Sequence, residues 1–266
     1  MRRPLLVVLR VLPVLLVLPV LLALASAAGS TGARAAVRPF PADADVDYQL
    51  GGAAPVPADV GIVVRDRRSR PAPGRYGVCY VNAFQTQPDE RALWRRHPSL
   101  LLRRGGRPVV DEAWGEVLLD LRTPATRAAL LRIVGPWLDG CARRGFDAVE
   151  LDNLDSYTRS DGLLTRGQAL AYARLLAARG HAAGLAVAQK NLADLDGRRV
   201  GFDLAVAEEC GRYAECGEYV RHYGSQVLMV EYRRADFDRT CAGWGASHPV
   251  VLRDRGLTPD GVHAWC

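Results

Sequence analysis

The stretch "VELDNLDSY", residues 149–157, places Glu150, Asp152, Asn153 and Asp155 close together in a chain otherwise rich in Ala, Leu and Val. Two neighbouring carboxylates are the equipment for acid–base or nucleophilic work on a sugar linkage. One can donate a proton while the other attacks the sugar carbon or activates water. A second acidic group, Glu208, Glu209 and Glu215, stands in "AVAEECGRYAEC", residues 205–216. Lys190, the only lysine in the chain, ends "LAVAQK". Buried charges need partners or a task, and Lys190 can partner such acids or contact a substrate.

Other chemistries find less footing. The five histidines show no H-x-H or H-E-x-x-H spacing, and no C-x-x-C, G-x-S-x-G or Walker loop occurs. No metal site and no cofactor are expected. The one carboxylate set that could take a hard cation is Glu150, Asp152 and Asp155.

The acids must be positioned by strands. Apolar runs at 47–50, 61–64, 76–83, 117–121, 147–153, 185–191, 203–209, 226–232 and 249–254 alternate with helical patterns. The clearest helices are 124–144, opened by Thr123-Pro124, and 165–183, closed near Gly184. Strand–helix alternation of this length predicts an α/β fold, a (β/α)8 TIM barrel with one extra strand or one false strand among the nine. A doubly wound open sheet is disfavoured because no strand runs into a Gly-rich phosphate loop.

Side chains along a strand alternate faces. Ala148, Glu150 and Asp152 therefore share the inward face, with Asp152 at the C-terminal end, where barrel enzymes carry their sites. The same reading sends Lys190 inward beyond Ala186 and Ala188. It sends Asp120 inward between Leu119 and Leu121, puts Tyr80 and Asn82 on one face, and turns Glu231 inward with Leu228 and Val230 outward.

The chain has 266 residues and is 49% hydrophobic, enough for one large core. Its formal charge of +6 comes from arginines scattered singly or in pairs, not from a basic stripe interleaved with aromatics, so nucleic acid is not an expected partner. Residues 1–27 have the basic start, apolar stretch and Ala25-Ser26-Ala27 site of a secretory signal. An uncleaved membrane anchor is the alternative. Residues 28–45 read as a linker and 46–266 as the barrel domain. Both readings place the folded part outside the cytoplasm, as a monomer. Six cysteines fit an oxidising compartment. Cys210 pairs with Cys216 and Cys241 with Cys266 on sequence proximity, while Cys79 and Cys141 are either a third bridge or two buried thiols.

The blocks "DYQLGG", "VCYVNA", "LLDLR", "GFDAVELDNLDSY", "LAVAQKN", "FDLAVAEECGRYAEC" and "VEY" occur in this order between about residues 46 and 232. In these blocks the chain resembles the endo-α-1,4-polygalactosaminidases, glycoside hydrolase family 114. The resemblance implies a secreted barrel enzyme that cleaves within galactosamine-rich polysaccharide, a polycation near neutral pH. It also implies a catalytic pair of Asp152, as nucleophile or base, and Glu208, as general acid. Strand alternation alone points Glu209 inward instead and keeps it as the reserve candidate. Glu150, Asn153, Asp155, Lys190 and Glu231 would orient the sugar or tune the pair. Asp120 joins them, and Tyr80, Tyr157 and Tyr232 either line sugar subsites or pack in the core. The run "GIVVRD" keeps only Asp66 of the family's acidic strand end, and the loop "FQTQPDERALW" also departs from the family form. The competing reading is a non-catalytic, membrane-tethered barrel that binds polysaccharide without cutting it.

Overall fold

The computed structural model describes residues 37–266. The signal segment and the first part of the linker lie outside the described residues. Of the rest of that linker, Arg38 pairs with Asp147, and Phe40 stacks edge-on against Tyr76.

Eight parallel strands form one sheet in chain order: β1 (Asp45–Gln49), β2 (Val60–Asp66), β3 (Tyr76–Asn82), β4 (Ala148–Asp152), β5 (Ala186–Lys190), β6 (Leu204–Glu208), β7 (Val227–Glu231) and β8 (Val250–Arg253). A ninth strand, β9 (His263–Trp265), runs antiparallel to β8. The sheet curls until β1 lies against β8 and β9, the (β/α)8 barrel expected from the sequence. Fully buried Arg253 holds this seam. Its Nη1 lies 3.4 Å from Asp47 Oδ1, while its Nε and Nη2 donate to the carbonyls of Val262 and Thr258, each at 2.9 Å. The Trp265 indole N–H donates across the seam to the Val46 carbonyl at 2.6 Å.

Two buried layers follow from strand alternation. Inside the barrel lie Tyr48, Ile62, Val78, Tyr80, Val206 and Val230 with Ala148, Ala186 and Ala188. The alanines leave room for the tyrosine rings on facing strands. Outside, Val149, Leu151, Val187, Ala205 and Met229 meet the helices. These are α1 (Pro124–Arg144), α2 (Arg166–Ala182), α3 (Cys216–Tyr223) and α4 (Arg234–Trp244). Helix α1 starts with Thr123 and Thr126 in a reciprocal cap behind Pro124 and ends at left-handed Gly145. Helix α2 uses Thr165 and Gln168 in the same way. On α2, Gly180 permits a close approach: a Cβ there would sit 2.7 Å from Val187 Cγ2. That fit seats α2 on β4 and β5.

Three disulfides are formed: Cys79–Cys141, Cys210–Cys216 and Cys241–Cys266. The first pins β3 to α1, so those two cysteines are bridged rather than free.

Two expectations change. The run 117–121 is not a barrel strand, because β3 bonds directly to β4. Leu118 and Leu119 form isolated antiparallel bridges to Gln85 and Leu101 instead. Adjacent Leu118 and Leu119 both enter the outer core with Leu121, a packing that period-two alternation does not describe. Asp120 closes on its neighbour Arg122, with contacts of 2.9 and 2.7 Å to Nε and Nη2, and points to no shared axis. On β7 the phase is reversed: Leu228 and Val230 line the interior. Glu231 faces the helix side, where it accepts from the Gly211 N–H at 2.7 Å and the Thr240 hydroxyl at 3.1 Å.

Candidate active site

Three adjacent strands, β4, β5 and β6, end in Asp152, Lys190 and Glu208. The register brings their C-terminal ends to one rim. Lys190 is buried at the centre. Its ammonium lies 2.8 Å from Glu150 Oε1, 3.2 Å from Asp152 Oδ1 and 3.3 Å from Glu208 Oε2. Laid end to end, the last two contacts set a ceiling of about 6.5 Å on the gap between Asp152 Oδ1 and Glu208 Oε2.

Each of the three carboxylates also takes one tyrosine hydroxyl. Tyr48 donates to Glu150 at 2.6 Å and Tyr80 to Asp152 at 2.6 Å, and Tyr232 donates to Glu208. Burial, reinforced by the nearby carboxylates, pushes these phenols far above their usual range, so the hydroxyls stay protonated.

The same environment separates the acids. Burial drives Glu150 up to about 7 against the pull of Lys190. Burial opposes ionisation of Asp152 too, but Lys190, the Tyr80 hydroxyl and the Asn153 N–H outweigh it, and Asp152 falls below its usual value. Lys190 rises against its own desolvation because Asp152, Glu150 and Glu208 surround it. One carboxylate is thus held ionised while a neighbour 3 Å or so from the same ammonium keeps a proton near neutrality.

The residue after each strand end is left-handed: Asn153 at φ 65°, Asn191 at φ 52° and Glu209 at φ 57°. For Glu209 this is an unusual conformation, and it turns the side chain away to Arg212 at 2.7 Å and Arg255 at 2.6 Å. Val206, not Ala205 or Ala207, faces the barrel axis, so Glu208 is the inward residue. Asn191 Oδ1 accepts the Glu208 N–H at 2.9 Å and fixes that strand end.

The remaining expected residues divide. Asn153 Nδ2 donates to Asn82 Oδ1 at 3.1 Å beside the acid pair. Asp155 turns to Arg159, with both oxygens at 2.9 Å, and does not join Glu150 and Asp152 as a cation cage; the ammonium of Lys190 fills that position. Tyr157, on the turn Ser156–Arg159, packs on the outer core rather than in the barrel. Glu231 and Asp120 lie away from the Lys190 cluster, as described above.

Glu208 opens onto a cleft of about 660 Å³, whose walls include Asp155, Asp194, Glu215 and the exposed ring of Tyr213. Sequence reading missed Glu116, which stands on a short hairpin (Val110–Asp111 with Glu116–Val117) and reaches back to Asn82. It also assigned no role to Tyr48. The signal for Tyr48 was its place in "DYQLGG"; for Glu116 there was none, because its position depends on a loop.

A nearly closed eight-stranded parallel barrel with carboxylates converging at the C-terminal rim is the architecture of the (β/α)8 glycoside hydrolases. The chain belongs to glycoside-hydrolase family GH114, whose family model matches residues 26–266. Among solved structures it is similar to Ega3 of Aspergillus fumigatus, determined in complex with galactosamine. The identity is 20%, over 88% of this chain and 98% of that one, with a TM-score of 0.68. The glycoside hydrolase domain of PelA from Pseudomonas aeruginosa shares 17% identity over 82% and 97% of the two chains, with a TM-score of 0.55. At these identities the likeness concerns the fold. No curated protein matches the chain.

Proposed function

We propose that the protein is a secreted hydrolase that cuts internal α-1,4 linkages of galactosamine-rich polysaccharide with retention of configuration. The observation that carries this reading is the shared contact of Lys190 with Asp152 and Glu208. Retaining glycosidases hold their carboxyls about 5–5.5 Å apart and inverting ones about 6.5–9.5 Å. The 6.5 Å ceiling therefore favours retention. Asp152, kept ionised, attacks the anomeric carbon as Glu208 delivers a proton to the departing glycosidic oxygen. Glu208 then takes a proton from water, whose oxygen displaces Asp152 and releases the sugar. Glu150, Lys190 and the three tyrosines hold the pair in place.

The substrate assignment is supported by the acid-lined cleft, which focuses an attractive field on a polycation even though the chain as a whole is basic. The galactosamine complex of Ega3 supports it as well. Three disulfides support passage through an oxidising compartment. Among the described residues, no helix is long and apolar enough to cross a membrane.

The test is cleavage of an α-1,4-galactosamine polymer, followed by chromatography of the products and by NMR of the newly formed anomer. Asp152→Asn and Glu208→Gln should each lower kcat by at least about 100-fold, with circular dichroism unchanged. Full activity in either variant removes that residue from the mechanism. A β-anomer as first product overturns retention. Binding of the polymer without any product would mark the barrel as a binding module.

A further inference from the structure

Several acids beyond the strand ends are ion-paired, and Glu116 is not. Arg159 meets Asp111 and Asp155, Arg166 meets Asp194, and Arg212 and Arg255 meet Glu209. Glu116 has no cation partner among the described residues. Its Oε2 accepts from Asn82 Nδ2 at 2.8 Å and is approached by Asn153 Nδ2 at 3.5 Å. Its Oε1 makes no hydrogen bond among the described residues. Asn82 is the register partner of Asp152 across β3 and β4, and Asn153 is the next residue in the chain. The two amides therefore fix a half-buried carboxylate within one side chain's reach of the proposed nucleophile, with one oxygen left over.

A carboxylate that is held by two amides beside the proposed nucleophile, and makes no ion pair among the described residues, is complementary to a cation supplied by the substrate. Rested on the reading of the site as a galactosamine hydrolase, we propose that Glu116 is a specificity-determining residue that accepts the free ammonium of an amino sugar bound at Asp152. An N-acetyl group at the same place offers no charge and would press a methyl and a carbonyl against the carboxylate. Sites built to pair a polar group discriminate strongly against analogues that lack it. Burial pushes Glu116 up to about 7, with Asp152 and Asp111 adding to the shift and the Asn82 amide and Arg159 opposing it. An arriving ammonium would relieve that penalty.

Glu116→Gln tests the assignment, because Gln keeps an oxygen for both amides and loses only the charge. Two measurements separate this inference from the reading it rests on. The first is the kinetics of wild type and Glu116→Gln on fully deacetylated and on partly N-acetylated α-1,4-galactosamine oligomers. KM for the deacetylated oligomer should rise about 10- to 100-fold with kcat little changed, and KM for the acetylated one should barely move. The second is calorimetric binding of galactosamine and of N-acetylgalactosamine to Asp152→Asn, with and without Glu116→Gln. It reads amine recognition even if wild type cuts neither polymer. Galactosamine binding should weaken by the same factor and the preference over the acetylated sugar should vanish. Equal losses on both sugars, or an unchanged preference, overturn the role of Glu116. Loss of cleavage by wild type with amine selectivity intact overturns the hydrolase reading and leaves the role of Glu116 standing.

Discussion

Replacing Lys190 with Met removes the one ammonium shared by Glu150, Asp152 and Glu208 while keeping a chain of similar volume. Its contacts of 2.8, 3.2 and 3.3 Å set the size of the effect. With the charge centres about 4 Å apart, a unit pair is worth about 4 kcal/mol at an effective dielectric of 20, or about 3 pKa units on each acid. Asp152, now depressed by Lys190, should rise accordingly, since Tyr80 and the Asn153 N–H alone face its desolvation. The acidic limb of the kcat/KM profile should move up by about 2–3 pH units. Stability changes with pH in a defined direction. Glu150 is held above its unfolded value of 4.5, so the stability it contributes is present below that value and is lost as pH rises through about 7. Without Lys190 the upper edge of this window moves higher. Asp152, whose depressed value favours folding above its unfolded 3.8, changes sign. The deficit in Tm relative to wild type should therefore widen as pH rises through about 7, where Glu150 ionises in wild type but stays protonated in the variant. Protonation of Glu150 limits the damage, because the acid keeps its Tyr48 contact, so the loss at neutral pH should be about 3 kcal/mol, the low end for a broken buried pair. An acidic limb that stays in place, or a deficit flat with pH, refutes the bridging role of Lys190.

Two further outcomes follow from the placement of Glu231 and from the Cys79–Cys141 bridge. Glu231→Gln keeps the contacts to Gly211 and Thr240 on the helix side of β7. Steady-state kinetics should show kcat/KM within about twofold of wild type, a barrier change within about 0.5 kcal/mol, and a larger drop would put Glu231 back in the site. Cys79 and Cys141 are 62 positions apart, so their bridge restrains a long unfolded loop. Replacing both with Ala should lower the denaturant-derived folding free energy by about 4 kcal/mol. A loss below about 1 kcal/mol would mean that the bridge does not restrain the unfolded chain.

The barrel, Glu150, Asp152 and Lys190 could be read in the sequence because they rest on local periodicity, whereas Glu208 rests on the family resemblance. Eight of the nine expected strands are barrel strands, and helix α1 begins at its Thr-Pro signal. The inward phase of β4 and β5 was readable because alanines and polar residues alternate with Val and Leu there. On β6 and β7 every candidate position is apolar except the last, so periodicity has nothing to count, and alternation alone turns Glu209 and Glu231 inward. What fixes the phase is three-dimensional: the neighbouring register pairs Val206 with Lys190 and with Leu228, and inward Lys190 carries both residues with it. The segment 83–123 was legible least, because its short hairpins and bridges are set by packing under the outer leucines rather than by a period.

Parallel register also makes the site compact. Parallel neighbours hold equivalent positions close together, about 4.8 Å per strand, so Asp152, Lys190 and Glu208 on three consecutive strands span a distance comparable to a sugar ring. Such closeness would repel two acids if the middle position were neutral. Lys190 occupies it and is fully enclosed, while the left-handed residues that follow, Asn153, Asn191 and Glu209, turn each chain away at once and leave the rim open. Glu150, one layer below with its Oε2 buried and unpartnered, balances the charge by holding a proton near neutrality. Two acids at the rim can then share one cation without a second one entering the cleft, and the cleft keeps the negative field that a polycationic substrate needs.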